Sequence, residues 1–156
     1  HFLGADWKNS DTKWISIALP IGMAFGALTS GWISDRLFHS NRSRVIVLFM
    51  ILAAMSSLGM FFLPKDSPVG IAVLFLTGFF AYGPQSAFWA LCPDLLGRKR
   101  AGTGTGIMNC FAYIFAGFGE PLIGWIIETN DETRLVFVVV AVACACSALI
   151  APFIRR

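Results

Sequence analysis

Charge is scarce in this chain, and groupings that could do catalysis are absent from it. Only 13% of the 156 residues are Asp, Glu, Lys or Arg, too few to solvate the surface of a soluble domain of this length. The two histidines, His1 and His39, both fall in polar stretches. There is no Ser/His/Asp set, no acid–base pair of carboxylates and no run of ligands at metal spacing; the sequence therefore does not read as an enzyme, and it calls for no cofactor and no metal. Cys92, Cys110, Cys144 and Cys146 lie in or beside apolar runs, without the spacing of a zinc site or a disulfide frame, and read as buried membrane thiols. No polar stretch between the apolar runs is long enough for a soluble domain. The net charge of +3 is spread over turns and forms no basic helix face, so nucleic acid is not an expected partner. The chain opens His1-Phe2-Leu3-Gly4, without Met or a basic leader, and reads as part of a longer protein.

What is abundant is apolar sequence. Hydrophobic residues make up 56% of the chain, and its mean hydropathy is +0.71. Five runs stand out, at about 14–33, 45–63, 69–91, 102–127 and 135–154. Each is about 20 residues or more, which at ~1.5 Å per residue crosses a hydrocarbon core of ~30 Å. The expected fold class is an all-α, multi-pass membrane protein, with the lipid bilayer as its surroundings. One set of turns and ends carries Arg36, Arg42, Arg44, Arg98, Lys99, Arg100, Arg155 and Arg156, the other Lys8, Lys13, Lys65 and Arg134. Short cytoplasmic loops collect Lys and Arg, so the richer set is expected inside, with the N-terminus outside and the C-terminus cytoplasmic.

Two runs and the basic elbow between them, Leu74 to Glu128, form an expected helical hairpin with polar residues halfway along both arms. Tyr82, Gln85, Ser86 and Trp89 recur at i, i+3, i+4, i+7 and should share a face. Gly83-Pro84 breaks that arm, because proline donates no hydrogen bond and crowds the carbonyl of Phe80. On the second arm Asn109 and Tyr113 each lie within about 20° of Glu120 at 100° per residue. Midspan polar groups beside broken backbone are where membrane transporters hold cargo; aromatic packing between helices is the alternative for the tyrosines. Gly22, Gly26 and Ser30 form a small-residue seam for close helix packing, and Pro20 is expected to bend the outer half of the same helix. Gly102, Gly104 and Gly106 follow no strand and lack nucleotide-loop spacing, so they too read as packing glycines.

The stretch Gly31-Trp32-Ile33-Ser34-Asp35-Arg36, followed by Arg42 and Arg44, resembles the Gly-x-x-x-Asp-Arg signature of the major facilitator superfamily. The residues Gly31, Asp35, Arg36, Arg42 and Arg44 then imply a conformational latch, a carboxylate at a helix end bonding arginines and amides of a neighbouring helix, where a bare sequence reading also allows a solvated turn. Three stretches, 26–44, AYGPQ at 81–85 and 101–125, narrow the resemblance to the organophosphate:phosphate antiporters, which include glycerol-3-phosphate and hexose-phosphate carriers. That resemblance implies that 1–156 is a C-terminal transporter domain portion, helices eight to twelve of twelve. It further implies an N-terminal half and a seventh helix elsewhere that hold the phosphate-gripping arginines, and location in a bacterial inner membrane. Tyr82 and Tyr113 match cavity tyrosines of that family; Pro20 stands where glycerol-phosphate carriers have an acid, and Glu120 where an acid is unusual. The implied function is exchange of a small anionic organic phosphate for inorganic phosphate, with Tyr82, Gln85, Trp89, Asn109, Tyr113 and Glu120 as substrate-binding residues. A proton- or Na⁺-coupled carboxylate or sugar-acid symporter, and a non-transporting sugar-phosphate receptor, stay open beside it.

Overall fold

A computed structural model describes residues 10–38, 41–64, 67, 69–130 and 134–153. They form helices α1 (Ser10–Leu37), α2 (Arg42–Phe62), α3 (Val69–Tyr82), α4 (Gln85–Leu96), α5 (Ala101–Asn130) and α6 (Leu135–Ile150), the last ending in a tight turn over Ala151–Phe153. Counting α3 and α4 as one run, five helical segments are long and apolar enough to cross a membrane. The polar N-terminal stretch 1–9, His39, Lys65, Asp66, Pro68, the acidic loop 131–133 and Arg155 and Arg156 lie outside the described residues.

The helices overrun the apolar segments at several ends. Residues 10–13, expected as loop, are already helical, and α5 continues past Glu128 to Asn130, whose amide donates to the Ile126 carbonyl at 3.2 Å. Polar residues in the headgroup region prolong a helix without cost to the hydrocarbon core, so hydropathy marks only the inner part of a span. The third span differs in kind: it runs to Leu96 and is two helices, divided at Gly83-Pro84. Pro20 sits inside α1 without interrupting it. At the far end Pro152 has no N–H to continue α6, and the chain tightens into its closing turn.

Packing is built from small residues and hydroxyls. On α1, Gly22 and Gly26 lie against the carbonyls of Phe75 and Phe79 of α3; across the seam, a Cβ on Gly78 would stand 2.6 Å from the Leu19 carbonyl. Any side chain at these glycines would push the two backbones apart, which is why the seam needs them. α2 packs on α6, and buried residues of the two helices, Ala53, Ser57 and Met60 on α2 and Ala141, Cys144 and Ala148 on α6, recur every three or four positions. Two hydroxyls fasten this pair at its ends, Ser57 donating to the Phe137 carbonyl at 2.7 Å and Ser43 to the Ala151 carbonyl at 2.6 Å. Phe49 of α2 stacks on Phe79 with ring centres 6.0 Å apart and meets Phe80 edge-on at 5.9 Å. α5 stands apart, touching the others only lightly, and Gly104 is its one buried residue.

Candidate functional site

The break in the third span is held in place from α1. Ser30, fully buried, donates its hydroxyl to the carbonyl of Gly83 and shares a 2.7 Å hydrogen bond with Ser86. A carbonyl released from helical bonding inside a membrane must find another donor, and here a serine on the neighbouring helix supplies it. Helical bonding resumes on both sides, from the Gly83 N–H to Phe79 at 3.0 Å and from the Phe88 N–H to Pro84 at 2.8 Å. Glycine is required at 83 for space: a Cβ there would run into the Phe49 ring and stand 2.8 Å from the Phe79 carbonyl.

Beside the break a cavity of about 420 Å³ opens between α2, the α3–α4 junction and α6. Tyr82 and Gln85 line it together with Ile46, Met50, Phe88 and Ile150. Its wall is mostly apolar and includes no cation, so it offers the hydroxyls of Tyr82 and Ser147 and the Gln85 amide to a ligand but nothing to neutralise an anion. The expected four-residue polar face is divided. Ser86 turns to α1, and Trp89, half-buried, meets the Phe88 ring edge-on at 5.9 Å. Tyr82 and Gln85, on either side of the break, keep to the cavity together, whereas Ser86 stands about 100° round α4 from Gln85 and is bonded to Ser30 of α1. The Thr77 hydroxyl is satisfied within its own helix, donating to the Val73 carbonyl at 2.8 Å, and marks no site.

The second arm places its polar residues elsewhere. Tyr113 is 76% exposed and Glu120 is also exposed. Asn109 is half-buried, and none of the three lines the cavity beside the break. The hairpin arms meet only near the elbow, where Gly104 packs on Leu96 and Cys92. The elbow turns at Gly97, whose φ of +74° suits glycine and whose N–H closes α4 on the Pro93 carbonyl at 3.0 Å. Among the described residues no ion pair or hydrogen bond reaches the Glu120 carboxylate. A charge held in hydrocarbon costs about 2.5–3.5 kcal/mol near the centre of a span.

At the basic end of the bundle, the residues expected to form a latch stand on two helices, α1 and α2. Asp35 and Arg36 lie exposed at the end of α1, Arg44 is exposed on α2, and a Cβ on Gly31 would make an ordinary 3.6 Å contact with the Ser86 hydroxyl. Arg42 is tied to α4: its Nε stands 2.6 Å from Asp94 Oδ2, with both side chains mostly covered. Asp94 is the residue that sequence reasoning passed over. Its signal was available, an acid among the few on the basic side of the membrane, one turn from a helix end. The Ser30–Gly83 bond was equally unforeseen; only the freed acceptor was legible, one turn early at Phe80.

The model of the Major Facilitator Superfamily matches residues 2–156. The chain is 35% identical to the probable hexose phosphate transport protein of Chlamydia pneumoniae, over 83% of this chain and 29% of that protein. It is 34% identical to the membrane sensor protein UhpC of Salmonella typhimurium, over 98% of this chain and 34% of that protein. With the glycerol-3-phosphate transporter of Bacillus subtilis the identity is 32%, over 76% of this chain and 27% of that protein. The chain thus spans about a third of the length of the relatives it matches. No solved structure matches it.

Proposed function

Since the chain belongs to the major facilitator superfamily, we propose that it is the C-terminal portion of a secondary transporter that exchanges a small organic phosphate for inorganic phosphate by alternating access. One observation carries this reading: proteins named as hexose phosphate and glycerol-3-phosphate transporters match most of the chain, 83% and 76% of it. The chemistry of the described helices is compatible with a half-site. Tyr82, Gln85, Trp89, Asn109 and Tyr113 bring hydroxyl, amide and indole donors to membrane-spanning segments, whereas the described cations stand at helix ends and turns, at Arg36, Arg42, Arg44, Arg98, Lys99, Arg100 and Arg134. A phosphate in a membrane protein needs a guanidinium or ammonium partner. We assign that partner to the N-terminal half and the seventh helix of the same transporter, with the basic ends of this chain in the cytoplasm and the protein in a bacterial inner membrane.

In this scheme Arg42 and Asp94, with Asp35 and Arg36 nearby in the sequence, hold the cytoplasmic ends of α2 and α4 together in one state and part in the other. A second reading has an observation of its own, because one of the matched relatives is named a membrane sensor: the same scaffold would bind a sugar phosphate and signal. Counterflow separates the readings. Proteoliposomes carrying the full-length protein and loaded with glucose 6-phosphate or glycerol 3-phosphate should accumulate labelled inorganic phosphate faster than unloaded ones. A sensor binds the sugar phosphate without exchange, and a carboxylate symporter takes up neither.

A further inference from the structure

Two serines on α1 have the same burial and opposite surroundings. Gly22, Gly26, Ser30 and Ser34 follow one another at intervals of four residues, and both serines are fully buried. The Ser34 hydroxyl has no hydrogen-bond partner among the described residues. Ser30 instead reaches both sides of the interruption in the third span, the Gly83 carbonyl in the junction and, at 2.7 Å, the Ser86 hydroxyl in the first turn of α4. A hydroxyl has one proton to give. Ser30 gives it to the Gly83 carbonyl, since the Ala27 carbonyl of its own helix stands farther off at 3.3 Å, and Ser86 therefore donates to Ser30.

The residues tied down in this way are the chain neighbours of two that line the cavity. Tyr82 is the last residue of α3 and Gln85 the first of α4, with only Gly83 and Pro84 between them. Pro84 has no N–H for the Phe80 carbonyl, so a bond that would fix α4 on α3 is missing there. How Gln85 stands to Tyr82 then depends on the angle at the junction, which Ser30 holds at Gly83, next to Tyr82, and at Ser86, next to Gln85. No described residue of α1 lines the cavity itself. Resting on the reading that this chain carries part of a cargo site, we propose that Ser30 is a positioning residue: through Gly83 and Ser86 it sets Tyr82 and Gln85 against one another for the uncharged part of an organic phosphate. The cavity wall selects that part, having hydroxyls and an amide but no cation. Inorganic phosphate has no such part, and its binding does not depend on Ser30.

The test uses the full-length protein with its cysteines replaced, first without cargo. Gln85→Cys, labelled with a membrane-impermeant thiol reagent, should react at a rate changed by about threefold or more when Ser30→Ala is added, and by less than about twofold when Ser34→Ala is added, since thiol reactivity follows exposure. Binding is then measured per folded protein. Ser30→Ala should weaken binding of glucose 6-phosphate or glycerol 3-phosphate about three- to tenfold, the worth of a hydrogen bond between membrane helices, and leave inorganic phosphate within about twofold of wild type. Ser86→Ala cuts one of the two ties and should shift labelling and binding the same way by a smaller factor, which keeps the question open to measurement if Ser30→Ala folds poorly. Ser30→Ala with Gln85→Leu should bind organic phosphate within about twofold of Gln85→Leu alone, because one residue acts through the other. Unchanged labelling, equal loss of inorganic phosphate, additive losses in the double variant or an inert Ser86→Ala overturns the proposal. So does a Ser34→Ala as damaging as Ser30→Ala, which would assign the effect to filled volume rather than to the bond. A wild-type protein that binds neither phosphate refutes the cargo reading, and with it the role in cargo binding; the labelling then decides alone whether Ser30 sets the junction.

Discussion

Gly22 and Gly102 each stand four residues ahead of another glycine on a membrane-length helix, yet the two pairs are in opposite situations. Gly22 and Gly26 have α3 pressed against them, carbonyl to Cα; Gly102 and Gly106 have open space. The same contrast runs through the polar residues. On α1, Ser30 is fully buried and bonded to Gly83 and Ser86, while on α5 Tyr113 and Glu120 project from the bundle. The difference teaches that the spacing of small residues permits a close helix contact without saying whether one is made. The filled seam shows what such a stripe accomplishes; the open one meets no helix among the described residues.

The largest effect should come from filling the filled seam. Gly26→Val places branched carbon where the Phe79 carbonyl lies and should cost about 3 kcal/mol, read as loss of folded protein in a detergent melt of this chain. Gly106→Val in the same chain should shift the melt by less than about 0.5 kcal/mol, the range of changes that touch nothing. Equal effects would dissolve the contrast. The comparison sharpens at the tyrosines, one on each arm. In the full-length protein, Tyr82→Phe and Tyr113→Phe should each weaken substrate binding by about 1.5–3 kcal/mol, or roughly ten- to a hundredfold, with expression unchanged; unchanged affinity in both would return the rings to packing.

Smaller still is the tie across the break. Ser30→Ala removes the donor to the Gly83 carbonyl and should lower stability by about 0.6–1.7 kcal/mol, the range of hydrogen bonds between membrane helices. Last comes the half-covered pair at the basic end. Asp94→Asn should slow exchange by about fivefold at most while equilibrium binding of substrate stays at the wild-type value. Parallel loss of binding and exchange would show that Arg42 and Asp94 shape the site rather than the balance between states.

The spans were legible in the sequence because hydrocarbon selects for length and apolarity, and both can be read without coordinates. Gly83-Pro84 announced the broken third span, and Gly22-x-x-x-Gly26 announced the seam on α1, since each depends on the backbone chemistry of one or two residues. Which neighbour Ser86 turns to was not legible, because its partner, Ser30, lies on another helix 56 positions away. Nor was the partner of Arg42: ion pairs join residues far apart in the chain, and Asp94 is 52 positions away. Asn109, Tyr113 and Glu120 were recognisable as a stripe, but what covers a stripe is a property of the neighbouring helix.

Whether the two arms serve one cargo is best asked of the arms themselves. In the full-length protein with Cys92, Cys110, Cys144 and Cys146 replaced by serine or alanine, and any other cysteines likewise, Tyr82→Cys and Tyr113→Cys would each be labelled with a membrane-impermeant thiol reagent, with and without saturating sugar phosphate. The account predicts that both positions react and that substrate slows both reactions by about tenfold or more, as bound ligand at 100 times its Kd should. Labelling of Tyr113→Cys that is indifferent to substrate, or protection at one tyrosine without the other, would contradict a shared cavity.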